Sequence, residues 1–187
     1  MQNLDRDDGN IEEIAIRIAY GLEERRIDWT KFSILNMKAL EDKINPASNI
    51  TFSGDVAIII RAFQYVHVSS FVYMKKYLNE DAFAKFIKAL GAALIGDDLR
   101  QSMPYVKQYT KAKQENTGDN FEKQFIQFSE DVAVGLTNSP SGMVLAPMAS
   151  AGVLDFYWMN LGVAAYELGD KETYSKISDE IRQKYKG

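Results

Sequence analysis

Apolar residues recur every three or four positions along most of the chain, the period of an amphipathic helix rather than a strand. Ile11, Ile14, Ile18 and Leu22 make the first stripe. Asn10 with Glu13 spells a capping box ahead of it, and Arg25 and Arg26 suit the negative end of a helix dipole. A second helix is expected to open at Asp28 or Thr30. Phe32, Leu35 and Ala39 lie on one of its stripes, Met37, Leu40 and Ile44 on a neighbouring one, and Asn45-Pro46 stops it. Residues 45–53 read as a loop.

From Ser53 or Asp55 to about Leu78 the chain is apolar on nearly every side, the mark of a central helix. Val56–Ile60 and Val66-His67-Val68 have strand-like composition, but the length and the lack of interrupting Gly or Pro favour helix. Asn79 opens a fourth helix with the cleanest stripe in the chain, Phe83, Phe86, Ile87, Leu90 and Leu94, ended by Gly96. Asp97 is expected to cap a fifth, with Leu99 and Met103 inward, Pro104 kinking or restarting it, and Val106 and Tyr109 continuing it. A polar loop, Gln114–Asn120, follows. Asp119 and Glu122 make a second capping box before Phe121, Phe125, Phe128, Val132 and Leu136. Thr137–Gly142 is rich in turn formers. Met143–Gly152 is apolar and interrupted by Pro147, so a short irregular helix or a buried loop is expected. A helix then runs from near Asp155 to Leu168. Gly169 is placed to terminate it. Asp170 caps the last helix, with Tyr174, Ile177, Ile181 and Tyr185 inward.

These elements predict an all-α fold, a compact bundle of about seven or eight helices around a central apolar helix. Residues 1–9 are expected to be an acidic flexible tail and residues 10–187 a single all-helical domain. The segment 158–170, with Trp158, Leu161, Gly162, Gly169 and Asp170 at the right spacing, resembles the first helix and turn of a tetratricopeptide repeat. The likeness covers about 30 residues and departs from the repeat at Ala165, at bulky Tyr174 and in lacking a final proline. It implies a helical scaffold that binds peptides or proteins.

Composition narrows the chemistry. The chain has 187 residues, 46% of them hydrophobic, and a formal net charge of −4. Asp5, Asp7, Asp8, Glu12 and Glu13 against Arg6 account for all of it, so the remaining body is neutral. A neutral body has little electrostatic protection against association, which points to a protein partner or a homo-oligomer. The acidic balance argues against nucleic acid. There is no cysteine and a single histidine, which excludes disulfides, thiol catalysis, zinc–thiolate sites and clusters of histidine ligands within one chain. The acidic N-terminus has no apolar signal region. Asn49-Ile50-Thr51 spells a glycosylation acceptor that matters only in a secreted chain. Val56–Val72 and Gly142–Leu168 approach the ~20 apolar residues of a membrane span. Arg61, Gln64 and His67 interrupt the first, and Pro147, Asp155, Asn160 and Glu167 the second. A cytoplasmic protein without stable membrane insertion is expected.

Few residues suggest a site. His67 lacks an acid within helical reach, and a haem ligand role has no second feature behind it, so no cofactor is expected. Arg61 is the firm charge of the central helix and needs a partner if buried; Asp155, isolated in the apolar C-terminal third, is the expected one. Arg61, Gln64, Tyr65, His67 and Asp155 are therefore the candidate ligand-binding set, an anion or carboxylate pocket. Asp7-Asp8-Gly9 has part of a calcium loop, but Leu4, Arg6 and Ala15 fall where carboxylates are required, so no metal site is expected. Adjacent acids such as Glu12-Glu13 and Asp97-Asp98 diverge on a helix. Lys107, Lys111 and Lys113 with Tyr105 and Tyr109 read as a solvated face. Phosphate-loop, dinucleotide and nucleophile-elbow motifs are absent. Met143, Val144, Met148 and Trp158 form the candidate partner interface, because methionine adapts to irregular apolar partners. A non-enzymatic interaction module is the leading expectation: an adaptor, assembly subunit or regulator. A lipid-like or other small-molecule binder with Arg61 as polar anchor is the alternative, and an enzyme the least supported.

Overall fold

The most apolar run of the sequence becomes helix α2, Val56–Met74, which buries residues on several faces, among them Ile58, Ile60, Phe63, Val66 and Val68. A helix apolar all round is stable only where other elements cover it on all sides. In the computed structural model, which describes residues 9–44, 56–115, 121–137, 143, 146–150 and 152–185, those elements are helices. They are α1 (Gly9–Ile44), α3 (Glu80–Leu94), α4 (Leu99–Glu115), α5 (Phe121–Thr137), the single turn α6 (Ala146–Ala149), α7 (Val153–Glu167) and α8 (Lys171–Lys184). No strand occurs among the described residues. The fold is the all-α bundle expected, with α2 at its centre.

Helix α2 packs against α3, α4, α5 and α7, while α1 lies along α3 on one side and α7 on the other. Helix α8 docks on α7. The core is aromatic. Phe63 of α2 stacks on Phe128 of α5 with ring centroids 4.0 Å apart, and Trp29 of α1 stacks on Phe156 of α7 at 5.0 Å. By length and composition α2 is apolar enough to cross a membrane, but in the bundle it is mostly buried.

The structure corrects the sequence reading at several places. Helix α1 is one element of 36 residues, not two separated near Asp28. Its buried stripe runs from Ile11 through Leu22 into Trp29 and Ser33 without losing register. The Thr30 hydroxyl donates back to the Arg26 carbonyl at 2.7 Å instead of capping a new helix. Because Trp29 and Ser33 set the inward face, Phe32, Leu35 and Ala39 point outward. The Met37, Leu40 and Ile44 side chains lie outside the described residues, as do residues 1–8 and the Asp119–Glu122 box. The box at Asn10 does not form: α1 already starts at Gly9, and Glu13 accepts from Arg17.

Other caps hold or shift. Asn79 caps α3 by accepting from the Ala82 amide at 2.9 Å. Gly96, at φ +51°, turns the chain into a short 3-10 segment, Gly96–Asp98, with no side-chain cap from Asp97. Leu99 consequently starts α4 at the surface, and α4 runs through Pro104. Tyr174 and Tyr185 are exposed rather than inward, since α8 buries only Ile177 among its described residues.

The α7–α8 turn follows from three adjacent residues. Gly169 has φ +73°. Its amide donates to the Tyr166 carbonyl, and the Asp170 amide donates to Ala165 at 2.8 Å, the paired bonds of a Schellman ending. Asp170 then caps α8 by accepting from the Thr173 amide at 2.9 Å, and Tyr77 donates to the same carboxylate at 2.6 Å.

Candidate functional site

The polar residues of α2 fan outward from one helix and reach different neighbours. Arg61 donates from Nε and Nη2 to the Glu23 carboxylate at 3.1 and 2.9 Å, and from Nη1 to Asp98 at 3.0 Å. Arg26 holds the same Glu23 from within α1. Hydrogen bonds from Arg26 first, then from Arg61, draw the Glu23 carboxyl down from 4.5 to about 2. Arg61 thus meets Glu23 and Asp98, and the expected pair with Asp155 is not made. The small cleft beside it, about 170 Å³ and lined by Tyr20 and Glu23, falls short of a drug-sized site. An anion there would have to displace two carboxylates.

Gln64, one turn on, is buried and donates to the Leu22 carbonyl at 2.7 Å and to Asn160 Oδ1 at 3.0 Å. It ties α2 to α1 and α7 through the core. Tyr65 faces α3, its ring beside Gly91. His67 is buried between the rings of Phe63 and Tyr157, centroids 4.3 and 5.2 Å away. Asp155, in the first turn of α7, accepts from Lys184 at 2.9 Å and from the Tyr185 hydroxyl. It fastens the end of α8. The five expected ligand residues therefore do not converge on one pocket.

Another carboxylate is met, among the described residues, by uncharged donors alone. Asp131 of α5 accepts from Tyr109 and Gln108 at 2.8 Å each and from Gln127 at 3.1 Å. Burial raises its carboxyl above the usual range despite those bonds.

Of the expected interface, Met143 is 48% exposed. Trp158 is half-buried against Tyr157. The side chains of Val144 and Met148 lie outside the described residues.

A larger concavity lies along α7. It is an open groove of about 500 Å³ walled by α1 and α8 and floored by α7. Each helix contributes a stripe at turn spacing: Arg17, Gly21 and Arg25 from α1; Met159, Val163 and Tyr166 from α7; Tyr174, Ile177 and Ile181 from α8. A stripe from position 17 to 25 spans about 12 Å at 1.5 Å per residue. Gly21 lets α1 approach α7, since a β-carbon there would sit 2.7 Å from Val163 Cγ1. One end is closed by Arg17, which bridges Glu167 at 2.7 Å and Glu13 at 2.8 Å. Tyr166 and Tyr174 rim it, 64% and 41% exposed, with ring centroids 5.3 Å apart. Arg25 and Arg182 line the groove with no salt bridge among the described residues.

The sequence reading missed this groove. Its one local signal was Gly21, a glycine inside a helical stripe with no turn to make, which marks close backbone approach.

Among the described residues no three His, Asp or Glu side chains gather to hold a metal ion. Comparison with protein-family models, with curated proteins and with solved structures finds no match to this chain.

Proposed function

We propose that this chain is a non-enzymatic, helical protein-interaction module that holds a segment of a partner protein in the groove between α1, α7 and α8. The observation that carries the reading is the groove itself. It is open along one side, has an apolar floor of Met159 and Val163 with Ile177 on the α8 wall beside it, and is rimmed by two exposed tyrosines. Tyrosine presents a large apolar face with a polar tip and is enriched in protein interfaces. A helix laid into such a channel buries its apolar stripe against the floor. The saturated Arg61 gives no comparable support to a small-molecule pocket.

The test is selection of 20-residue helical peptides from a display library on the full chain. Ser178, half-buried on the α8 wall, supplies the control. Ser178→Trp fills the channel, and its fold is checked by circular dichroism. Binders lost in this folded variant support the reading. A selection that returns no binders, or binders indifferent to Ser178→Trp, removes it.

A further inference from the structure

We infer that the occupant of this groove is an acidic amphipathic helix, whose carboxylates are met by Arg25 and Arg182. The inference rests on the groove reading and adds the chemistry of the partner. The groove carries three arginines, of which Arg17 is already held by Glu167 and Glu13. Arg25 stands on the α1 wall and Arg182 on the α8 wall, so the two flank the channel from opposite sides. Elsewhere in the bundle a partly buried arginine is matched: Arg26 and Arg61 share Glu23, and Asp98 adds a further acceptor. Arg25 is half-buried, yet no described carboxylate meets it. Glu24 also lines the groove, but among the described residues no hydrogen bond or ion pair joins it to Arg25, as expected of adjacent helix positions. A planar guanidinium presents several donors in a fork suited to a carboxylate. The apolar floor asks for an apolar stripe on the guest, and the flanking pair asks for Asp or Glu beside that stripe.

The same peptide selection separates the two levels. Enriched binders should carry Asp or Glu flanking an apolar stripe. The best binder is then measured by fluorescence anisotropy alongside its Asn/Gln counterpart, against wild type and Arg25→Gln/Arg182→Gln. The double variant should weaken the acidic peptide about three- to tenfold at low salt and less at high salt. It should leave the amide peptide unchanged, the signature of a direct pair in a double-mutant cycle. Binders without acidic enrichment, or equally tight on the double variant but lost with Ser178→Trp, overturn the carboxylate assignment and leave the groove reading standing. Binders indifferent to Ser178→Trp, or none at all, sink both.

Discussion

Gly21 of α1 and Val163 of α7 touch where the two helices cross, with room for a hydrogen but not for a methyl: a β-carbon on Gly21 would come within 2.7 Å of Val163 Cγ1. Valine is stiff at χ1 in a helix and cannot swing aside. Gly162, on the same helix α7, is different. A β-carbon there would meet Ile177 Cγ2 at 3.5 Å, an ordinary contact. Alanine is favoured over glycine in a helix interior by about 1 kcal/mol, while overpacking costs about 1–3 kcal/mol. Gly21→Ala should therefore lower the melting temperature and Gly162→Ala should leave it unchanged or raise it. Changes of the same sign in both would refute the crossing geometry.

Acid should weaken the fold through Glu23. Its carboxyl lies at about 2 in the folded chain against an ordinary 4.5. A depressed folded value stabilises the fold above the ordinary range, and that contribution is lost as pH falls from about 4.5 to about 2. Thermal melts of Glu23→Gln should sit below wild type at pH 7 and converge with it near pH 2. A gap independent of pH would mean that the Arg26 and Arg61 bonds do not hold the charge.

Asp131 should show the opposite sign. Burial raises its carboxyl, so the folded chain prefers the protonated form. The stabilisation is present below the ordinary value of 3.8 and is lost as pH rises through the raised one. Relative to wild type, Asp131→Asn should gain stability as pH increases over that range. Melting curves at stepped pH check it, and a difference that moves the other way contradicts the assignment.

The end of α8 depends on Asp155, which receives both Lys184 and Tyr185. Asp155→Ala should cost about 1–2 kcal/mol. It should also speed amide exchange in the last turn of α8 more than in α2. Lys184 is half-exposed, so Lys184→Met should cost less, about 0–1 kcal/mol. Uniform acceleration throughout the bundle would show that Asp155 serves the core and not this end.

Local features were the legible part of the fold. Asn79, Gly169 and Asp170 act within one turn of their own positions, and the structure uses each as the sequence indicates. The stripes of α3 and α5 were readable because one side of each periodic pattern is unambiguous, and α2 because an uninterrupted apolar run of its length suits a central helix. The break expected near Asp28 failed because Thr30 has cap chemistry that serves equally as a back-bond to Arg26. Burial of Trp29, four helices away in sequence from its stacking partner Phe128, decided the matter. Arg61 was correctly marked as needing a partner, but the partner is selected by how α1 crosses α2. Glu23 lies 38 residues earlier and is surrounded by other charges in the sequence. The groove was illegible for the same reason. Its three walls are distant in sequence, and each looks like an ordinary mixed helix face until they are set side by side.

Helix α8 is fastened at its first residue by Asp170, which also receives Tyr77, and at its last by Asp155. Between these points its described side chains bury only Ile177. In mechanical language it is a beam clamped at both ends, with its main support at mid-span and a lesser one where half-buried Ile181 meets the core. Such a beam does not swing away from a load; it bows. A guest entering the groove would accordingly be accommodated by small displacements of Tyr174, Ser178 and Ile181 along the span, with both ends of α8 staying where they are.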